Sequence, residues 1–129
     1  MTTEDVKKML NDYRDIGIYC SALENEVELW RARAEDTSAD IAKPAAEYID
    51  LMDILRDSIL QMAKQRLNCF ALIESIDDVR LKSLLHLRYI EGLTWEKVSE
   101  QLYIDYRWCF RLHKQAIDLI ATKAQAMPC

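Results

Sequence analysis

The sequence predicts an all-α protein: a long antiparallel, coiled-coil-like helical hairpin followed by a C-terminal helix-turn-helix. Three observations carry the prediction. Glycine occurs only at 17 and 92 and proline only at 44 and 128, too little punctuation for the many turns of a β protein. Half of the 129 residues are apolar, enough material for a packed core. Those apolar residues recur at intervals of three and four, the period of one helix face.

The first run is Val6, Met9, Tyr13, Ile16, Cys20, Leu23, Val27, Trp30 and Ala34, a strict 3-4 alternation held for four heptads. Thr2 or Thr3 can cap this helix, and Glu4 and Asp5 stand where the helix dipole favours anions. Gly17 weakens its middle by roughly 1 kcal/mol relative to Ala. The pattern breaks between Asp36 and Glu47, where Thr37, Ser38, Asp40 and Pro44 predict a connector, with Pro44 tolerated in the first turn of the next helix.

A second seam runs Tyr48, Met52, Leu55, Ile59, Met62, Arg66, Cys69 and Ile73. Two long striped helices joined by a short connector are expected to fold back on each other. Leu51, Ile54, Leu60, Leu67 and Phe70 make a further flank on the second helix, which a hairpin alone leaves for the C-terminal domain or another subunit to cover. The predicted division is therefore residues 1–75 as a hairpin for oligomerisation or partner binding, and residues 76–129 as the second domain.

Asp77 or Asp78 is expected to cap a third helix carrying Leu81, Leu84, Leu85, Leu87 and Ile90, which stops at Gly92. Thr94 then caps a short helix, and Asp105 a longer one running through Ile117, Leu119 and Ile120. Between them the residues of a helix-turn-helix are in place. Ser99 is small enough for a close helix crossing, and Val98, Leu102, Ile104, Cys109 and Leu112 supply the inner apolar positions. Tyr103 stands where the turn needs a positive φ, which predicts strain at that residue.

Composition limits the chemistry. Cys20, Cys69, Cys109 and Cys129 fall at no zinc-ligand spacing, and three of them lie on apolar faces, as free thiols of a reducing compartment do. The acid pairs Asp53/Asp57 and Glu24/Glu28 lie off the seams, where solvation is the expected fate. No phosphate loop, nucleophile elbow or metal motif occurs, so no enzyme, cofactor or metal is expected. No apolar run suits export or membrane insertion, so a cytoplasmic location is expected. Net charge is −5, unevenly spread: residues 1–75 carry fifteen acids against nine bases, residues 76–129 seven against eight.

The stretch LLHLRYIEGLTWEKVSEQLYIDYRWCFRLHKQAI, Leu84 to Ile117, resembles region 4 of sigma-70-type transcription factors. It is most similar to small phage and prophage activators of Gram-positive bacteria that carry such a domain behind a helical N-terminal half. LRYIEGLTWEKV and RLHKQAI are the most telling pieces, and together they span about a quarter of the chain. The resemblance implies a sequence-specific, DNA-binding transcriptional regulator acting on double-stranded DNA with RNA polymerase. On the motif's outer face Tyr106, Arg107 and Arg111 are the expected base contacts. Arg88, Lys97, His113 and Lys114 are the expected phosphate contacts, and Phe110 is bulky for a base-reading position. A homodimer through the N-terminal helices would add the affinity that a weakly positive recognition stretch lacks. Two other readings fit the same pattern: a phage-type small packaging or assembly protein that forms a ring, and a helical adaptor that binds no DNA.

Overall fold

The computed structural model describes residues 1–35 and 42–126. The chain is all-α. Among the described residues there are five α-helices and no strand: α1 Thr3–Glu35, α2 Ala42–Glu74, α3 Val79–Leu85, α4 Trp95–Leu102 and α5 Tyr106–Ala126, with a π-turn, His86–Ile90, continuing α3. Half of the expected connector, including Thr37, Ser38 and Asp40, lies outside the described residues, while Pro44 stands in the first turn of α2.

Local chemistry sets the helix ends. Thr2 begins α1 with a reciprocal cap: the Asp5 backbone N–H donates to Thr2 Oγ1 at 3.1 Å, and the Thr2 N–H donates to Asp5 Oδ2 at 2.9 Å. The Thr2 backbone N–H, helped by the Thr2 hydroxyl, holds the Asp5 carboxyl below its ordinary range. Asp78 caps α3 by accepting from the N–H groups of Arg80 and Leu81. Asp77, the other candidate, instead pairs with Lys123 at 3.3 Å.

The two long helices pack against each other, and the α1 seam is the expected one. Val6, Tyr13, Cys20, Leu23 and Val27 are buried, and Met9, Ile16, Trp30 and Ala34 are half-buried. The α2 seam is rotated from expectation. Tyr48, Leu55, Met62, Cys69 and Ile73 face inward as predicted, but the intervening places belong to Leu51, Ser58 and Gln65. Met52 and Ile59 are 40% and 39% exposed, and Arg66 is exposed. The expected and observed stripes share Tyr48, Leu55, Met62, Cys69 and Ile73 and have the same three-and-four spacing, so the period alone does not choose between them. The docking angle does, and in unit 2, where Leu51 and Ser58 lie, it leaves Ile49, Met52, Ile54, Ile59 and Leu60 on the outside.

The chain divides into two compact units, but not at residue 75. Unit 1 joins Met1–Arg14 to the chain from Gln65 onward, and unit 2 is Asp15–Lys64. The expected boundary fails because the ends of the long helices help build the C-terminal core. Val6, Leu10 and Tyr13 of α1 and Cys69, Ile73 and Ile76 at the end of α2 are buried in unit 1 with Leu81, Leu84, Leu85, Tyr89, Val98, Leu112, Ile117 and Ile120. Polar ties reinforce it: Cys69 Sγ donates to the Met9 carbonyl, Arg14 reaches the Gly92 carbonyl, and Lys123 Nζ donates to the Ser75 carbonyl. Unit 2 is a smaller cluster of Cys20, Leu23, Val27 and Leu55, flanked by Ile16, Tyr48, Leu51 and Met62.

Gly17 lies inside α1 with nothing within 4 Å of the place a Cβ would occupy. Gly17→Ala is therefore expected to stabilise the chain by about 0.5–1 kcal/mol through helix propensity and a less free unfolded state. The check is the urea midpoint of the variant against the parent: an unchanged or lower midpoint refutes the expectation.

Candidate nucleic-acid interface

The α4–turn–α5 segment is built by short-range bonds on a buried seam. Thr94 Oγ1 accepts from the Lys97 N–H and starts α4. Tyr103 ends it in the left-handed region at φ 55°, as the turn requires, and its side chain is 95% exposed. A non-glycine residue there carries strain on the order of 1 kcal/mol, and the exposed ring does nothing to offset it. Ser99 does more than fit a close crossing. Its hydroxyl donates to the Ile104 carbonyl at 2.8 Å while the Ile104 N–H donates to the Ser99 carbonyl at 3.2 Å, so the turn is tied in both directions. Asp105 Oδ1 then accepts from the Arg107 N–H at 2.8 Å and starts α5. Val98, Cys109 and Leu112 are buried beneath, with Leu102 and Ile104 half-buried.

Arg107, Arg111 and Lys114 lie on the outer face of α5, opposite the buried stripe of Cys109, Leu112, Ala116 and Ile120. All three are exposed, as is Lys97 on α4, and among the described residues none of the four forms an ion pair. The Arg111 guanidinium rests 5.4 Å from the Trp108 ring centre. A helix face of this kind can hydrogen-bond base edges through guanidinium forks and neutralise backbone phosphate.

Two expected phosphate contacts are placed differently. His113 turns inward: its Nε2 is hydrogen-bonded to the Tyr89 hydroxyl at 2.6 Å, and its ring meets Trp95 edge-on at 5.0 Å. Desolvation, aided by the positive charges of Lys7 and Arg88, pushes its pKa down to about 4, so the ring is neutral at pH 7 and cannot attract phosphate by charge. Arg88 is spent on structure. Its Nη1 donates to the Leu93 carbonyl at 3.1 Å and its guanidinium lies 4.7 Å from the Trp95 ring centre, closing the bend that leads into α4. Burial lowers its pKa, with the nearby charge of Arg14 adding to the effect.

The π-turn explains both misplacements. In a regular helix Arg88 would follow Leu81, Leu84 and Leu85 toward the core. The wider turn, with the Glu91 N–H bonded to the His86 carbonyl, inserts extra chain and brings Tyr89 to the inner position instead. Tyr89 then meets His113, and Arg88 moves to the flank beside Trp95. Sequence reading missed Trp95, whose ring touches Phe110, His113 and Arg88 at once. It also missed Arg14, which sits one position off the α1 seam and reaches Gly92, 78 residues away, at 3.5 Å. Nothing in a helical pattern marks such a long-range contact.

The acid pairs Asp53/Asp57 and Glu24/Glu28 are exposed. Asp53 and Asp57 flank Arg56 at 3.2 and 3.9 Å, and Glu28 pairs with Arg31, all well exposed. No metal-holding cluster of His, Cys, Asp and Glu occurs among the described residues. Cys20, Cys69 and Cys109 are free and buried, and desolvation raises their pKa values away from reactive thiolate. Among the described residues no helix is long and apolar enough to cross a membrane. In comparisons with known proteins, the chain matches no family model, no curated protein and no solved structure.

Proposed function

We propose that this chain is a sequence-specific DNA-binding transcriptional regulator that presents α5 to the major groove. The observation that supports this reading is the row Arg107, Arg111 and Lys114 on one exposed, ion-pair-free face behind a capped, three-residue turn. Arg107, Arg111 and Tyr106 are the base contacts of this proposal, and Lys114 and Lys97 the phosphate contacts. Arg88 and His113 act beneath them as supports. The resemblance of Leu84 to Ile117 to sigma region 4 adds RNA polymerase as the protein partner and a phage-type activator as the class. A net charge of −5 limits nonspecific attraction, so a second subunit or the polymerase supplies part of the affinity.

The test is titration of mixed-sequence and selected duplexes at several salt concentrations. Log affinity is expected to fall with log salt at a slope of about −0.9 per phosphate neutralised. Arg107 and Arg111 stand one turn, about 6 Å, apart. Removing either to Ala is expected to cost about 1–3 kcal/mol on the selected site and to relax preference at one base pair. Lys114→Ala is expected to weaken all sequences alike and to lower the salt slope by about one. Folded protein that binds no duplex at low salt refutes the proposal.

One separate observation favours a second reading. Unit 2 exposes Ile49, Met52, Ile59 and Leu60 on one side of α2, more apolar side chain than a lone helical pair hides. A self-associating assembly protein would use such a face. Mass in solution separates the readings, because a ring requires many subunits and a regulator works as a monomer or dimer.

A further inference from the structure

The outward side of α5 carries two stripes. At about 100° per residue, Arg107, Arg111 and Lys114 form one, diametrically opposite the buried face, while Tyr106 and Phe110 form a second, displaced about a quarter turn toward α4. Tyr106 and Phe110 are 45% and 42% exposed, yet both are held. Their rings meet edge to face at 5.0 Å, and Phe110 is backed by Trp95 at 5.3 Å, which is itself braced by His113 at 5.0 Å and the Arg88 guanidinium at 4.7 Å. A face meant only to meet phosphate has no use for a rigid apolar ledge beside its cations.

The edges of bases in a major groove offer one methyl group, the C5-methyl of thymine; the rest of the recognition pattern there is hydrogen-bond donors and acceptors beside the small C5–H of cytosine. That methyl stands between O4 and the sugar-phosphate wall. A side chain on the flank of an inserted helix meets it before one at the helix centre does. An aromatic edge pressed against an adenine or cytosine amino group would strip it of water and return no hydrogen bond, so the same ledge discriminates against the wrong base. Because Trp95 and Tyr106 already fix the Phe110 ring, little side-chain freedom remains to be lost on contact.

We infer that Phe110, with Tyr106 beside it, reads the C5-methyl of thymine next to the bases contacted by Arg107 and Arg111. The inference rests on the DNA-binding reading above and deepens it. Phe110, bulky for a base-reading helix, becomes a specificity determinant. The site should then hold thymine within about one base-pair step of an arginine-read base, with a second thymine about two steps away for Tyr106, one helical turn from Phe110.

The experiment uses the full chain and a duplex selected from a randomised pool. Each thymine in the selected site is replaced singly by deoxyuridine, which removes the methyl and leaves every hydrogen-bonding group in place, and affinity is measured by competition at fixed salt. One or two positions are expected to lose about fourfold, the worth of one buried methyl-sized group. Phe110→Ala is expected to bind the thymine site more weakly and to become indifferent to the swap at one of those positions. If every deoxyuridine duplex binds the parent protein within experimental scatter of the thymine duplex, the ledge does not read methyls, and this inference falls while the regulator reading stands. If Phe110→Ala keeps the parent's full thymine preference, another residue reads the methyl, and the assignment falls. Failure of the folded protein to bind any duplex overturns the regulator reading and this inference with it.

Discussion

Leu23→Asp is expected to melt the paired long helices. Leu23 is buried with Cys20, Val27 and Leu55 in a core of four side chains, too small to hide or rearrange around a carboxylate. Leaving that charge unpaired costs several kcal/mol, the whole margin of a small unit. Far-UV circular dichroism of the full chain is expected to show a melting midpoint lower by 10 °C or more, at about 4 °C per kcal/mol. Ile59→Asp is the matched control. Its side chain lies at the edge of the apolar groove lined by Met52, Leu55, Arg56 and Leu60, so the same chemical change is expected to cost about 1 kcal/mol or less. Wild-type melting for Leu23→Asp would mean that the seam is not the core. Equal damage from Ile59→Asp would mean that a second copy covers the groove in solution.

Acid is expected to loosen unit 1 before its carboxylates titrate, because of one histidine. His113 has a folded pKa near 4 against about 6.5 unfolded, so between those values the unfolded chain takes up a proton that the folded chain refuses. Its contribution is fully present above about pH 6.5 and is lost as pH falls toward 4. The loss runs at about 1.4 kcal/mol per pH unit and totals roughly 3 kcal/mol. The groups around it reinforce the sign: Lys7 and Arg88 oppose a further positive charge, and the buried Tyr89 hydroxyl stays protonated. Urea titrations of the parent and of His113→Gln between pH 7 and 5 isolate the effect. The parent is expected to lose about 1 kcal/mol more than the variant between pH 6.5 and 5.5, because the unfolded ring is only half protonated at the upper end. Parallel curves would place His113 in solvent and return it to the set of possible phosphate contacts.

Features whose causes lie within a few residues were legible in the sequence. Asp78, Thr94 and Asp105 cap their helices because a side-chain oxygen need only reach an N–H two or three positions on. Gly92 takes φ 72° and Tyr103 φ 55° because the turns there demand it. The outer cations Arg107, Arg111 and Lys114 were legible too, since a buried stripe of Cys109 and Leu112 settles which side of α5 faces out. Phe110 was legible as exposed but not as held, because its backing by Trp95 is a contact between helices.

By itself the sequence determined the all-α class, the α1 seam and the helix-turn-helix pattern, each carried by a short period or a local bond that any chain with these residues would share. Tertiary structure alone decided the rest. It chose which of two overlapping stripes on α2 turns inward, because both satisfy a 3-4 period and only the docking angle separates them. It drew the ends of α1 and α2 into the C-terminal core, because Val6, Leu10 and Ile73 bury more completely there than a free-standing hairpin end allows. It also withdrew Arg88 and His113 from the surface. One widened turn, His86–Ile90, rotates the chain so that Tyr89 meets His113 and Arg88 meets Trp95, and a wider turn leaves no periodic trace in the residues that make it.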